Sequence, residues 1–116
     1  MAELDIHVGD TREDMAARFA QAWRRAEQGE THAERHLSFD SFETLARVLS
    51  PRRLVLLRAL HARPAASIAA LARQLGRDYK RVHEDVEALT AAGLIERPEA
   101  GALRAPYAEI RTIIAL

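Results

Sequence analysis

The chain has no cysteine. That excludes disulfides, thiolate metal sites and a cysteine nucleophile. No apolar run approaches the roughly 20 residues of a membrane-spanning helix. The opening residues, MAELDIHVGD, lack the basic segment followed by an apolar one that marks a secretory signal. A cytoplasmic protein is therefore expected. Net charge is also missing: 17 Lys and Arg offset 17 Asp and Glu, which taken alone argues against a polyanionic partner. No nucleophile–base spacing and no phosphate-cradling loop is present. Asp85 and Glu87 are neighbouring acids, but they point to different faces of a helix. His32 and His36 lie four apart, as metal ligands on a helix can, with no third ligand nearby. Neither catalysis nor a metal or other cofactor is expected.

What is present begins with size. A length of 116 residues with 48% hydrophobic content supports an ordinary core. The zero net charge also hides a strong asymmetry. Residues 51–83 carry eight Arg and Lys against Asp78 alone, a local charge of +7, whereas residues 1–35, 36–50 and 84–116 come to −3, −1 and −3. The local field, not the total, steers a polyanion.

The basic block coincides with the most organised stretch, SIAALARQLGRDYKRVHEDVEALTAA, from Ser67 to Ala92. Ser67 is an N-cap candidate, and Ile68, Leu71, Ala72 and Leu75 follow at helical spacing. Gly76 stands where a left-handed C-cap belongs. Asp78 caps a second helix with apolar positions Tyr79, Val82, Val86 and Leu89, and Gly93 ends it. Two short helices joined near a glycine form the helix-turn-helix pattern. The outward side of the second helix carries Lys80, Arg81 and Glu84, with Arg77 just before it. Its basic amino-terminal end is the end that meets base edges in such motifs.

The flanking elements follow from similar signals. Leu4, Ile6 and Val8 alternate with Asp5 and His7, a strand pattern. Thr11, with Asp14 three residues on, opens a helix running to about Gln28, where Gly29 stops it. Met15, Phe19, Ala22, Trp23 and Ala26 form one stripe on that helix, covered either by its own domain or by a dimer or partner interface. Residues 30–35 read as a linker, and His36 to Phe39 as a short strand. Ser41 caps a helix with Phe42, Leu45, Val48 and Leu49 as its buried face. Pro51 opens the next, with Leu54, Leu57 and Leu60 inward, Val55 and Leu56 broadening the apolar side, and Arg52, Arg53, Arg58 and Arg63 more exposed. After Gly93, Leu94–Arg97 and Ala102–Ala105 read as a hairpin around the turn Pro98-Glu99-Ala100-Gly101. A hairpin directly after a recognition helix is a wing, and Arg97 and Arg104 would reach DNA from it. Ile110, Ile113, Ile114 and Leu116 close the chain as a strand, with Leu4 to Val8 as its partner within one subunit or between two.

The words LSPRRLVLLRAL, SIAALARQLGRDYKRVHEDVEAL, GLIER and APYAEI, in that order, resemble small prokaryotic winged-helix proteins over residues 37–110. These are predicted transcriptional regulators related to the MarR and ArsR groups. The resemblance implies dimeric binding of double-stranded DNA without a cofactor, and some members are antitoxins that also bind a toxin. Carried over by position, the DNA-facing residues are Ser67, Arg77, Lys80, Arg81 and Glu84, with Arg97 and Arg104 in the wing. Tyr79 and His83 lie nearer the core edge and reach phosphate, and Arg52 and Arg53 hold phosphates as well.

The expected fold is mainly α with a small β-sheet, a winged helix-turn-helix over residues 36–116 with a strand–helix extension over residues 1–35. The expected function is a sequence-specific, dimeric repressor acting on an inverted-repeat operator. The alternative is an antitoxin or interaction module that binds a toxin through the N-terminal helix. Met15, Phe19, Trp23, Ile110 and Ile113 are the candidate dimer or partner residues.

Overall fold

Leu4, Ile6 and Val8, the apolar members of the first alternating stretch, lie buried along strand β1 (Ala2–Val8) in the computed structural model. The structure describes residues 2–9, 11–29, 34–98 and 102–116. Among them the chain continues through α1 (Arg12–Glu27), β2 (Glu34–Phe39), α2 (Phe42–Val48), α3 (Pro51–Ala62), α4 (Ile68–Leu75), α5 (Tyr79–Ala91) and β3 (Tyr107–Ile114). This is an α+β fold with one three-stranded sheet, in the order β2-β1-β3. Two compact units form: Met1–Leu45 with Glu109–Leu116, and Ala46–Ala108. The terminal strand thus joins the first one within the same chain.

In the first unit β1 and β2 are parallel, in a register that sets Asp5 beside His36 and His7 beside Ser38. Parallel neighbours need a crossover, and α1 supplies it. Its start is fixed by a reciprocal capping box: the Asp14 amide donates to Thr11 Oγ1 at 3.1 Å and the Thr11 amide to Asp14 Oδ2 at 3.0 Å. Those bonds to Thr11 hold the Asp14 carboxyl below its usual range. None of the 16 residues of α1 is buried. Phe19 is 71% exposed and Trp23 60%, with their rings 6.4 Å apart.

In the second unit each helix begins at a side-chain cap. The Ser50 hydroxyl accepts from the Arg53 amide ahead of Pro51, Ser67 from Ala70 and Asp78 from Arg81. Leu56, Leu57 and Leu60 of α3 are buried, while Val55 points outward at 55% exposure and Leu54 is half-buried. Leu57 and Leu60 of the expected inward set are thus buried, with Leu56 in place of Leu54. Helix α2 spans the boundary between the units; its Leu45, in the first, is buried, and Phe42, also in the first, is 56% exposed. The core is completed by Ile68, Leu71, Val82, Val86, Leu89, Leu94, Ile95 and Leu103.

The expected hairpin is present as one antiparallel bridge, Glu96 with Arg104, and Leu103 pairs in turn with Ala65. Backbone bonds run both ways at each bridge, at 2.8 and 2.9 Å for the first and 3.1 and 2.7 Å for the second. The turn residues Glu99, Ala100 and Gly101, like His32, lie outside the described residues.

Candidate nucleic-acid interface

The candidate surface begins at the turn between α4 and α5. Gly76 is left-handed, with φ +64°, a conformation that suits glycine and lets the chain reverse in three residues. Val82, Asp85, Val86 and Leu89 form the buried stripe of α5. Their spacing of three, one and three residues defines one side of the helix. Lys80, Arg81 and Glu84 fall on the other side and are exposed. Neither Lys80 nor Arg81 makes a side-chain bond among the described residues, so their charge is presented freely. Tyr79 departs from expectation. As the first residue of α5 it is 53% exposed, and its ring leans on His83 at 5.9 Å.

Two of the cations assigned to DNA are engaged elsewhere. Arg53 Nε donates to Asp85 Oδ1 at 3.0 Å, and Arg77 Nη2 donates to Asp85 Oδ2 at 2.7 Å. Arg53 Nη1 also donates to the carbonyl oxygens of Arg47 and Val48, at 3.4 and 3.2 Å. Asp85 is 3% exposed. Burial pushes its carboxyl up, but the two guanidiniums more than offset this and hold it below the usual range. Arg53 and Arg77 therefore tie α3 and the turn to α5, and they are not free phosphate contacts. A buried carboxylate draws in cations because isolation there costs several kcal/mol.

Asp85 is the residue that sequence reasoning missed. It sits three after Val82 and four before Leu89, in phase with the apolar stripe, and that phase was its signal.

The remaining candidates divide by how they are held. Arg52 is exposed. The Ser67 hydroxyl accepts from the Ala70 amide at 3.1 Å and keeps its own proton for a further acceptor. Arg104 pairs with Glu96 at 2.9 Å, and Arg97 lies 3.6 Å from Glu87. Such half-exposed pairs contribute little, so a phosphate can displace the carboxylate. His83 Nε2 is 3.7 Å from Glu87.

In the first unit, Met15, Phe19 and Trp23 line the uncovered side of α1, and on β3 Ile110 is half-buried while Ile113 is 44% exposed. The register also gathers Asp5, His7 and His36 on one side of the sheet. The i,i+4 pairing of His32 with His36 gives way here, since His36 lies on a strand.

One family model matches the chain, HVO_A0114, over residues 48–112, which is more than half of its length. No curated protein and no solved structure matched it. Among the described residues no helix is long and apolar enough to cross a membrane.

Proposed function

This chain belongs to the HVO_A0114 family, and we propose that it is a sequence-specific regulator that binds double-stranded DNA as a dimer. In this reading α4, the Gly76 turn and α5 are a helix-turn-helix, and the Glu96–Arg104 hairpin is its wing. The observation that carries it is the division of α5 into a buried side and an exposed basic start with unpaired Lys80 and Arg81. A helix of this length, about 20 Å, fits the major groove. Arg52, Arg58, Arg63 and Arg73 are also exposed on the same unit, and supply the sequence-independent attraction to phosphates. A two-fold dimer would space two recognition helices about 34 Å apart and select an inverted repeat. Bound there, it would exclude polymerase and repress.

The test is selection from a random duplex pool, followed by affinity measurements across salt. An enriched inverted repeat is expected, with log affinity falling by about 0.9 per phosphate neutralised for each decade of salt. A pool that fails to enrich, or a flat salt response, removes the proposal.

A second reading is favoured by α1. A 16-residue helix with no buried residue, showing Phe19 and Trp23 to solvent, has the composition of an interface with protein. It would carry the dimer or hold a toxin-like partner. Phe19→Glu with Trp23→Glu should abolish self-association or partner capture in sedimentation velocity. Folding stability of the chain should change by less than about 0.5 kcal/mol, as for surface sites. A loss of several kcal/mol would instead mean that the rings are core.

A further inference from the structure

We propose that Asp5, His7 and His36 form a site for a divalent transition-metal ion, zinc in the first instance, that links β1 to β2. Asp5 and His7 are two apart on β1 and so share a side of the strand, opposite the buried Leu4, Ile6 and Val8. The parallel register places His36 directly across from Asp5. One potential ligand atom from each residue lies within 4.8 Å of the others.

His7 Nε2 and His36 Nδ1 face each other at 2.8 Å. Without an ion, one ring must donate a proton to the other, which restricts both tautomers. With zinc, both rings are neutral and aim their lone pairs at the ion from about 2.0–2.1 Å. Tetrahedral geometry at those bond lengths separates the two nitrogens by about 3.3 Å. An opening of about half an ångström is therefore required, on the side of the exposed His36 at the sheet margin.

Asp5 supplies the third ligand. Its Oδ1 accepts from Arg111 Nε at 2.8 Å, leaving Oδ2 for the ion. A ligating carboxylate that is itself held by a neighbour is the usual arrangement around bound metals. Two imidazoles and a carboxylate suit zinc and exclude magnesium, which prefers oxygen ligands. With three protein ligands, the fourth position would hold water, as in open zinc sites. The site uses residues of the first unit alone and does not rest on the DNA-binding proposal.

Metal-stripped full-length chain, titrated near neutral pH with zinc chloride by calorimetry, should bind one ion per chain, whereas magnesium chloride should give no heat. His36→Ala and Asp5→Asn should each weaken zinc binding. For His36→Ala the loss should exceed about 100-fold, the upper end of what removing a mere supporting neighbour costs. His61→Gln should leave the affinity unchanged. If His36→Ala fails to fold, imidazole resonances of the unaltered chain provide the readout: zinc should shift those of His7 and His36 before any other histidine. No saturable zinc heat, equal binding of magnesium, or zinc binding undiminished in a folded His36→Ala chain would each overturn the site.

Discussion

Asp85→Ala is expected to lower folding stability by about 3 kcal/mol, more than a hundredfold in the ratio of folded to unfolded chain. The side chain is 4% exposed and accepts from two guanidiniums. Its removal leaves Arg53 and Arg77 beside an apolar core with no counter-charge. One nitrogen of Arg77, Nη1, is already buried without a partner among the described residues, so losing the carboxylate leaves a second nitrogen of that group unpaired. Both arginines keep about a fifth of their side-chain surface in water. That places the expected loss at the low end for a broken buried pair. Urea unfolding measures it, with the exposed neighbour Glu84→Ala as the control that should move little.

The same carboxylate predicts a pH signature. Its folded-state pKa lies below the ordinary value, so the native state holds its proton less tightly than the unfolded chain. Stability from such a group is fully present above the unfolded value, about 3.9, and is lost as pH falls through the folded one. The gap between the natural chain and Asp85→Asn should therefore narrow below about pH 4. A gap that stays constant down to the acid transition would remove the ion-pair account. Arg53→Ala should likewise lower the melting temperature, an effect that a phosphate contact would not have.

The second large effect concerns specificity. Arg81→Ala, or Lys80→Ala if that residue makes the base contact, should remove about 1–3 kcal/mol of discrimination between the selected operator and random duplex, a factor of about 5–150. Arg52→Ala should weaken both DNAs alike and reduce the salt slope by about one. Anisotropy titrations on the two duplexes separate these outcomes. Equal losses on operator and random DNA for Lys80, Arg81 and Arg52 variants would make α5 a nonspecific surface.

Local signals in this sequence carried far. Thr11 with Asp14, Ser50 with Pro51, Ser67, Gly76 and Asp78 each mark a boundary through bonds to residues at most four away, and each does so in the structure. What stayed hidden depends on residues distant in the chain. Arg53 meets Asp85 across 32 positions, and nothing near either residue announces the pairing. An arginine beside a basic helix reads as a phosphate contact until its counter-ion is located. His7 and His36 meet across 29 positions through a strand register that no local spacing encodes. The burial of Leu56 rather than Leu54 on α3 has the same origin. In LVLLRAL several apolar phases are nearly equivalent, and tertiary packing chooses among them.

The sheet also orders events during folding. The unit from Ala46 to Ala108 is continuous in the chain, so its helices can dock through contacts close in sequence. The other unit cannot close until residues 109–116 return to it, because the whole helical unit separates its third strand from the first two. Long-range pairing of that kind is slow compared with helix docking. Until that strand arrives, the β1 edge stays open to pairing with other molecules.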